Sequence, residues 1–236
     1  MDTRIQPFGV PAHETWHEAI DLVLFDLDGT LIDSAPDLAG ALNDLRSELD
    51  LSPVSYERLR PMVGSGARGM LAAGLDVHPG EERFEPLRDR FLWLYEQRMT
   101  RLTRPFDAVE RLLLSLESDG RLWGIVTNKA ERFALPLVSA LGLDRRAAAV
   151  VAGDTTPHAK PHPEPLLEAA RRAGVQPARC VYVGDDLRDV QAGRAAGMGT
   201  VAAAWGYLGE GEPVARWGAD LVLETPEGLL KWLDRA

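Results

Sequence analysis

Cysteine is nearly absent: Cys180 is the single one among 236 residues. One thiol forms no intrachain disulfide, and nothing in the sequence demands an oxidising compartment. Cys180 lies in an apolar run and reads as a small buried residue. Long hydrophobic stretches are also missing. No run approaches the ~18 apolar residues of a membrane-spanning helix. The N-terminal twenty residues are broken up by Pro7 and Pro11 and hold no apolar run of signal-peptide length. The expectation is a cytoplasmic protein behind a weakly structured leader at 1–20. Positive charge is scarce, with 26 Lys and Arg against 36 Asp and Glu and a formal net charge of −10. That balance supplies no basic footprint, which excludes nucleic acid and membrane surfaces as broad partners. Repeats and low-complexity segments are absent. Apolar residues make up 45% and charged residues 26%, the composition of a globular chain and not of a disordered one.

Short continuous apolar runs recur at Leu22–Phe25, Leu122–Val126, Ala149–Ala152, Val181–Val183, Thr200–Ala204 and Leu221–Leu223. Runs of this length read as strands buried on both faces. Helical stripes separate most of them. Val109, Leu112, Leu113 and Leu116 form the first. Phe133, Leu137, Val138 and Leu141 form the second, closed by Gly142. Leu166, Leu167, Ala170 and Ala173 form the third, closed by Gly174, and Val190, Ala192, Ala195 and Ala196 precede Gly197. Strands alternating with helices predict an α/β fold, a parallel sheet with helices on both faces.

Residues 35–105 break that rhythm and read as helices alone. Pro36 suits a first helical turn capped by Asp33 or Ser34, with Leu38, Leu42, Leu45 and Leu49 following at helical spacing. Phe84, Leu87, Phe91 and Leu94 form another stripe, and the glycine-rich run from Val63 to Met70 reads as a loop between them. The expected organisation is a core of residues 1–34 and 106–236 carrying a small all-helical cap, 35–105, over the C-terminal edge of the sheet.

That edge is where open α/β sheets bind ligands, and polar residues gather at the expected strand ends. The first strand runs into Asp26-Leu27-Asp28-Gly29-Thr30-Leu31. Carboxylates this close repel one another, which a divalent cation or protonation of one relieves; a solvated acidic turn is the plain alternative. Thr127-Asn128 ends the second strand and equally suits a cap or turn. Gly184-Asp185-Asp186, followed by Asp189, is either an acid-rich helix N-terminus or a metal site. Lys160 stands before Pro161 and Pro163, which stiffen a loop ahead of a helix whose free N–H groups suit a phosphate. His158 and His162 have the spacing of helical metal ligands, but Pro161 and Pro163 forbid a helix there, so they read as loop histidines. Trp123 and the group Phe91, Trp93, Leu94 and Tyr95 read as packing, with any exposed subset open to a substrate or a second subunit.

In order along the chain, DLDGTL at 26–31, TN at 127–128, Lys160 and GDDLRD at 184–189 resemble the four motifs of the haloacid dehalogenase (HAD) superfamily. The helical segment between the first two resembles the cap of its phosphoglycolate phosphatase-like branch. The resemblance runs from about Asp21 to the C-terminus. It implies a Rossmann-like core and a Mg2+-dependent phosphatase. Asp26 would be the nucleophile that forms an aspartyl-phosphate, and Asp28 the general acid and base. Mg2+ would be held by Asp26, the Asp28 carbonyl and Asp185. Thr127 and Asn128 would orient the phosphoryl group, and Lys160 would balance the charge on it. Asp186, where the branch often carries serine, and Asp189 are candidates to support the metal from behind its direct ligands. Asp28 argues against dehalogenation, because a departing halide needs no proton. A sugar-phosphate mutase of the β-phosphoglucomutase type remains the alternative.

SGARGM at 65–70, LWGIVTNKAERFA at 122–134, GDDLRD at 184–189 and WGADLV at 217–222 further resemble bacterial N-acetylmuramic acid 6-phosphate phosphatases. Gly66, Arg68 and Lys129 are the candidate substrate-binding residues. Arginine grips a carboxylate with two parallel bonds, so the expected substrate is a small phosphorylated acid or sugar acid, such as phosphoglycolate or N-acetylmuramic acid 6-phosphate. A helix-surface role is the alternative for Arg68. A monomer or homodimer is expected.

Overall fold

The computed structural model describes residues 20–233. The expected leader lies outside the described residues, apart from Ile20. The elements, in chain order, are β1 (Leu22–Phe25), β2 (Ile32–Asp33), α1 (Ala35–Glu48), α2 (Tyr56–Leu59), α3 (Gly66–Leu75), α4 (Phe84–Glu96), β3 (Arg104–Pro105), α5 (Val109–Ser118), β4 (Leu122–Val126), α6 (Glu131–Ala140), β5 (Val150–Val151), α7 (Glu164–Ala173), β6 (Cys180–Gly184), α8 (Leu187–Ala195), β7 (Gly199–Ala203), β8 (Leu221–Leu223) and α9 (Pro226–Leu233).

Side chains alternate across a strand, and in β1 both sets are apolar. Val23 and Phe25 join α5, α6 and α9 through Leu112, Leu113, Leu116, Leu137, Val138 and Leu229. Leu22 and Leu24 join α7 and α8 on the opposite face through Leu166, Ala169, Ala170 and Ala192. Both faces of the sheet are therefore covered, as the continuous apolar runs predict. Burying each such leucine contributes about 1.5–3 kcal/mol. The six strands are parallel and ordered β5-β4-β1-β6-β7-β8. The chain steps from β1 to one side through β4 and β5, then crosses back to build β6 to β8 on the other. β1 sits at this reversal, the point where such sheets open a crevice for ligands.

Some helix faces differ from the reading of the stripes. Leu167 is 39% exposed while Leu166 is fully buried, so α7 turns Leu166, Ala169 and Ala170 inward. Leu49 lies past the end of α1 and is 43% exposed, and Ala195 also faces out. Cys180 opens β6, buried, its thiol pushed up to about 12, chiefly by burial, as expected of an inert small residue.

Four helices occupy the segment between β2 and β3. Leu38, Leu42, Leu45, Leu59, Met70, Leu71, Phe84, Phe91 and Tyr95 form its apolar cluster, which Phe133 and Tyr207 continue from the sheet side. The glycine-rich run is not a loop. A 3-10 turn over Arg60–Ser65 passes directly into α3, with Gly66 at φ +61 supplying the bend between them. At the start of α1, Asp33 accepts the Ala35 N–H at 3.2 Å, whereas the Ser34 hydroxyl turns away toward Asp28. β2 and β3 pair antiparallel, Ile32 with Pro105 and Asp33 with Arg104, a contact the sequence pattern does not announce. No helix among the described residues is long and apolar enough to cross a membrane.

Candidate active site

Three neighbouring strands deliver their C-terminal residues to one cavity of about 360 Å³. Asp26 directly follows β1, Thr127 follows β4 and Asp185 follows β6, and the loop before α7 adds Lys160. Two glycines make the convergence possible. A side chain on Gly29, which holds φ +84, or on Gly206 would run into the Asp185 carboxylate.

Lys160 is 5% exposed and its ammonium binds four ways: Asp189 Oδ1 at 2.8 Å, Asp26 Oδ1 at 3.0 Å, the Tyr182 hydroxyl at 2.7 Å and the Val126 carbonyl at 3.1 Å. Burial alone would lower its pKa, but the charges of Asp189 and Asp26 outweigh burial and hold it protonated. Asp26 is pushed up to about 6 by burial and by the charges of Asp189 and Asp28, with Lys160 opposing. Its Oδ1 accepts both Lys160 and the Leu27 N–H, at 2.7 Å, which leaves Oδ2 as the oxygen open to the cavity. Asp185 is raised well above the carboxylate range by burial and by the charges of Asp26 and Asp189, although the Tyr207 N–H (2.8 Å) and the Thr30 hydroxyl (3.0 Å) both donate to it.

Asp28 faces a different set of partners. The Lys129 ammonium lies 2.9 Å from its Oδ1 and 3.1 Å from its Oδ2, and the Ser34 hydroxyl donates to the same carboxylate. Lys129 also stands over the Tyr95 ring at 4.7 Å from its centroid. Burial would lower the Lys129 pKa, but Asp28 and Tyr95 raise it, so the ammonium is fully charged.

Asn128 turns its amide to the loop. It accepts the Lys160 N–H and donates to the Lys160 carbonyl, both at 2.9 Å, so it fixes the backbone from which Lys160 projects. The Thr127 hydroxyl accepts the Lys129 N–H at 3.1 Å. Asp186 caps α8 and makes two 2.8 Å bonds with Arg188, which hold it well occupied. Asp189, not Asp186, belongs with Asp26 and Asp185 in a cluster whose carboxylate oxygens lie within 4.8 Å of one another. Gly66 and Lys129 line the cavity; Arg68 is exposed and is not among the lining residues. His158 and His162 lie in an exposed loop with ring centroids 4.4 Å apart.

The cavity also gathers residues to which the sequence assigns no role in the site. Leu38, Phe91, Leu92, Tyr95 and Phe133 form an apolar wall, and Arg132 and Arg188 add charge. Arg188 further donates to the Gly64 carbonyl at 2.6 Å, and Arg60 reaches the Gly206 carbonyl at 3.1 Å, tying the helical segment to the sheet in both directions. Trp123 is core, its indole donating to Glu117, while Trp93 is 48% exposed and is not among the residues lining the cavity. Phe91 belongs to the helical stripe of α4 and Tyr95 to the group read as packing; what neither reveals is that this part of α4 lines the cavity at the sheet's edge.

Known proteins resemble this chain over most of its length. An N-acetylmuramic acid 6-phosphate phosphatase of Pseudomonas aeruginosa is 42% identical over 214 residues, 91% of this chain and 95% of that protein. A phosphoglycolate phosphatase of Xanthomonas campestris is 48% identical over 208 residues, 88% of this chain and 93% of its own length. The crystal structure of a predicted phosphoglycolate phosphatase from Haemophilus somnus superposes with a TM-score of 0.79 at 28% identity, covering 90% of this chain and 97% of that one. The profile of the haloacid dehalogenase-like hydrolases matches residues 23–203, a span that takes in every strand end at the cavity, and the chain belongs to that family.

Proposed function

We propose that this chain is a phosphoric monoester hydrolase that releases phosphate from a small phosphorylated acid or sugar acid, phosphoglycolate or N-acetylmuramic acid 6-phosphate, through an aspartyl-phosphate on Asp26. The observation that carries this reading is the half-buried Asp26, held through Oδ1 by Lys160 and the Leu27 N–H with Oδ2 open to the cavity. Oδ2 attacks phosphorus and the ester P–O bond breaks. Asp28 enters this step as the carboxylic acid and protonates the departing oxygen; the carboxylate so formed then takes the proton of the water that attacks the acyl phosphate. Lys160 offsets charge on the nucleophile and the phosphoryl oxygens. Lys129 and Ser34 hold the Asp28 carboxyl at the cavity wall.

Asp26, Asp185 and Asp189 form an all-oxygen donor set in a buried site where like charges raise the first two, and that set suits a hard divalent cation such as Mg2+. Asp26 and Asp185 would hold it, with the Asp28 carbonyl; Asp189 is already engaged by Lys160 and by the Asp186 N–H at 3.0 Å. When bound, the ion neutralises phosphoryl charge. The relatives bear phosphatase names, which lend no weight to the mutase alternative.

The test is a side-by-side assay of phosphoglycolate, N-acetylmuramic acid 6-phosphate and β-glucose 1-phosphate, with Mg2+ and with EDTA. Free phosphate from at least one acid in Mg2+, lost on chelation, is the expected outcome. An isomerised sugar in place of free phosphate would return the mutase reading, and undiminished turnover in EDTA would remove the metal.

A further inference from the structure

Lys129, Arg132, Lys160 and Arg188 all line the cavity. Lys129 is matched by Asp28 at 2.9 Å, Lys160 by Asp26 and Asp189, and Arg188 by Asp186 at 2.8 Å. Arg132 is different. Its side chain is exposed where it lines the cavity, it makes no ion pair or hydrogen bond with any described residue, and its guanidinium stands 4.4 Å over the centroid of the Phe133 ring. A guanidinium resting on an aromatic ring keeps its N–H donors for another partner. Phe133 in turn lies against Tyr95, ring centroids 5.7 Å apart, with Phe91 close by in the same wall. This end of the cavity is therefore an apolar floor beneath one uncompensated cationic fork. Arg132 sits in the first turn of α6, four residues beyond Asn128 where the chain leaves β4, so a short strand–turn–helix unit sets its distance from the phosphoryl site. The helix N-terminus beneath it adds to the positive potential.

We infer that Arg132 is the specificity-determining residue of this site and takes the carboxylate of the substrate's leaving group. The inference rests on the phosphatase reading above and assigns to Arg132 the carboxylate-binding role expected of Arg68. A charge-assisted, two-pronged contact of this kind discriminates strongly, because an analogue lacking the carboxylate leaves the fork unmatched.

Two substrate pairs isolate the effect: phosphoglycolate against ethyl phosphate, and N-acetylmuramic acid 6-phosphate against N-acetylglucosamine 6-phosphate. Each pair differs by the group bearing the carboxylate. The readout is the ratio of kcat/KM, acid over neutral, for wild type, Arg132→Gln, Arg132→Lys and Arg68→Gln, with Tm confirming the fold. Wild type favours the acid in at least one pair. Arg132→Gln lowers that ratio about tenfold or more, chiefly through KM, and Arg132→Lys lowers it less. A wild-type ratio near unity in both pairs, a ratio unchanged in Arg132→Gln, or a fall carried by Arg68→Gln instead overturns the inference while leaving the phosphatase reading intact. Failure of wild type to hydrolyse any of the four esters overturns the phosphatase reading, and the inference with it.

Discussion

A carboxylate kept among other carboxylates raises the energy of the folded state. Asp185 is buried beside Asp26 and Asp189, and its ionised form is disfavoured by both. Asparagine would fit in its place: the amide oxygen can accept the Tyr207 N–H, and the amide N–H can donate to Thr30 Oγ1, whose hydroxyl rotates. Asp185→Asn should therefore stabilise the metal-free protein by about 1–2 kcal/mol while abolishing activity, the exchange typical of functional sites. Urea unfolding in EDTA at neutral pH checks it; a loss of stability would show that the carboxylate is structural. At this scale the motif residues were legible because each sits in a short pattern, at a strand end or, for Lys160, in the proline-stiffened loop before α7. The roles of Tyr182, Tyr207, Arg132 and Arg188 were not. Tyr207 reaches Asp33 across 174 positions and Tyr182 reaches Val126 across 56, and no local spacing encodes such partners.

Elements were legible in proportion to their periodicity. All six sheet strands stand where apolar runs lie, because a strand covered on both faces has no polar side to interrupt it. Helix phase was coarser. Leu166 and Leu167 are both apolar neighbours, and only packing decides which one faces the sheet. Leu166→Ala should cost about 2–4 kcal/mol, and Leu167→Ala no more than about 1 kcal/mol. Thermal unfolding of the two variants separates them; equal losses would mean that α7 sits in another rotation. β2 and β3, with two residues each, are too short to show any period, and the glycines at 64, 66 and 69 hide a helix start in what reads as a loop.

For the whole molecule, net charge and the cavity pull in opposite directions. A chain of charge −10 that concentrates buried acids at one edge disfavours an anionic substrate there until a cation is present. Mg2+ binding should stabilise the fold by mass action, about 2.7 kcal/mol at a hundredfold excess over Kd, or roughly 2–4 °C in Tm per kcal/mol for a chain of this size. A thermal shift that rises with Mg2+, reverses with EDTA and is missing in Asp185→Asn is the expected result; an equal shift in that variant would place the ion elsewhere. The pairing of β2 with β3 bears on the molecule's history as much as on its shape. The polypeptide leaves the sheet at Asp33 and comes back at Arg104, side by side. To the core, everything between those residues is one excursion that ends on its own doorstep. Closing such an excursion costs little more when it is lengthened. A lineage could rewrite the helices above the crevice, and with them the range of leaving groups admitted, while every strand connection and every motif carboxylate below stayed in place.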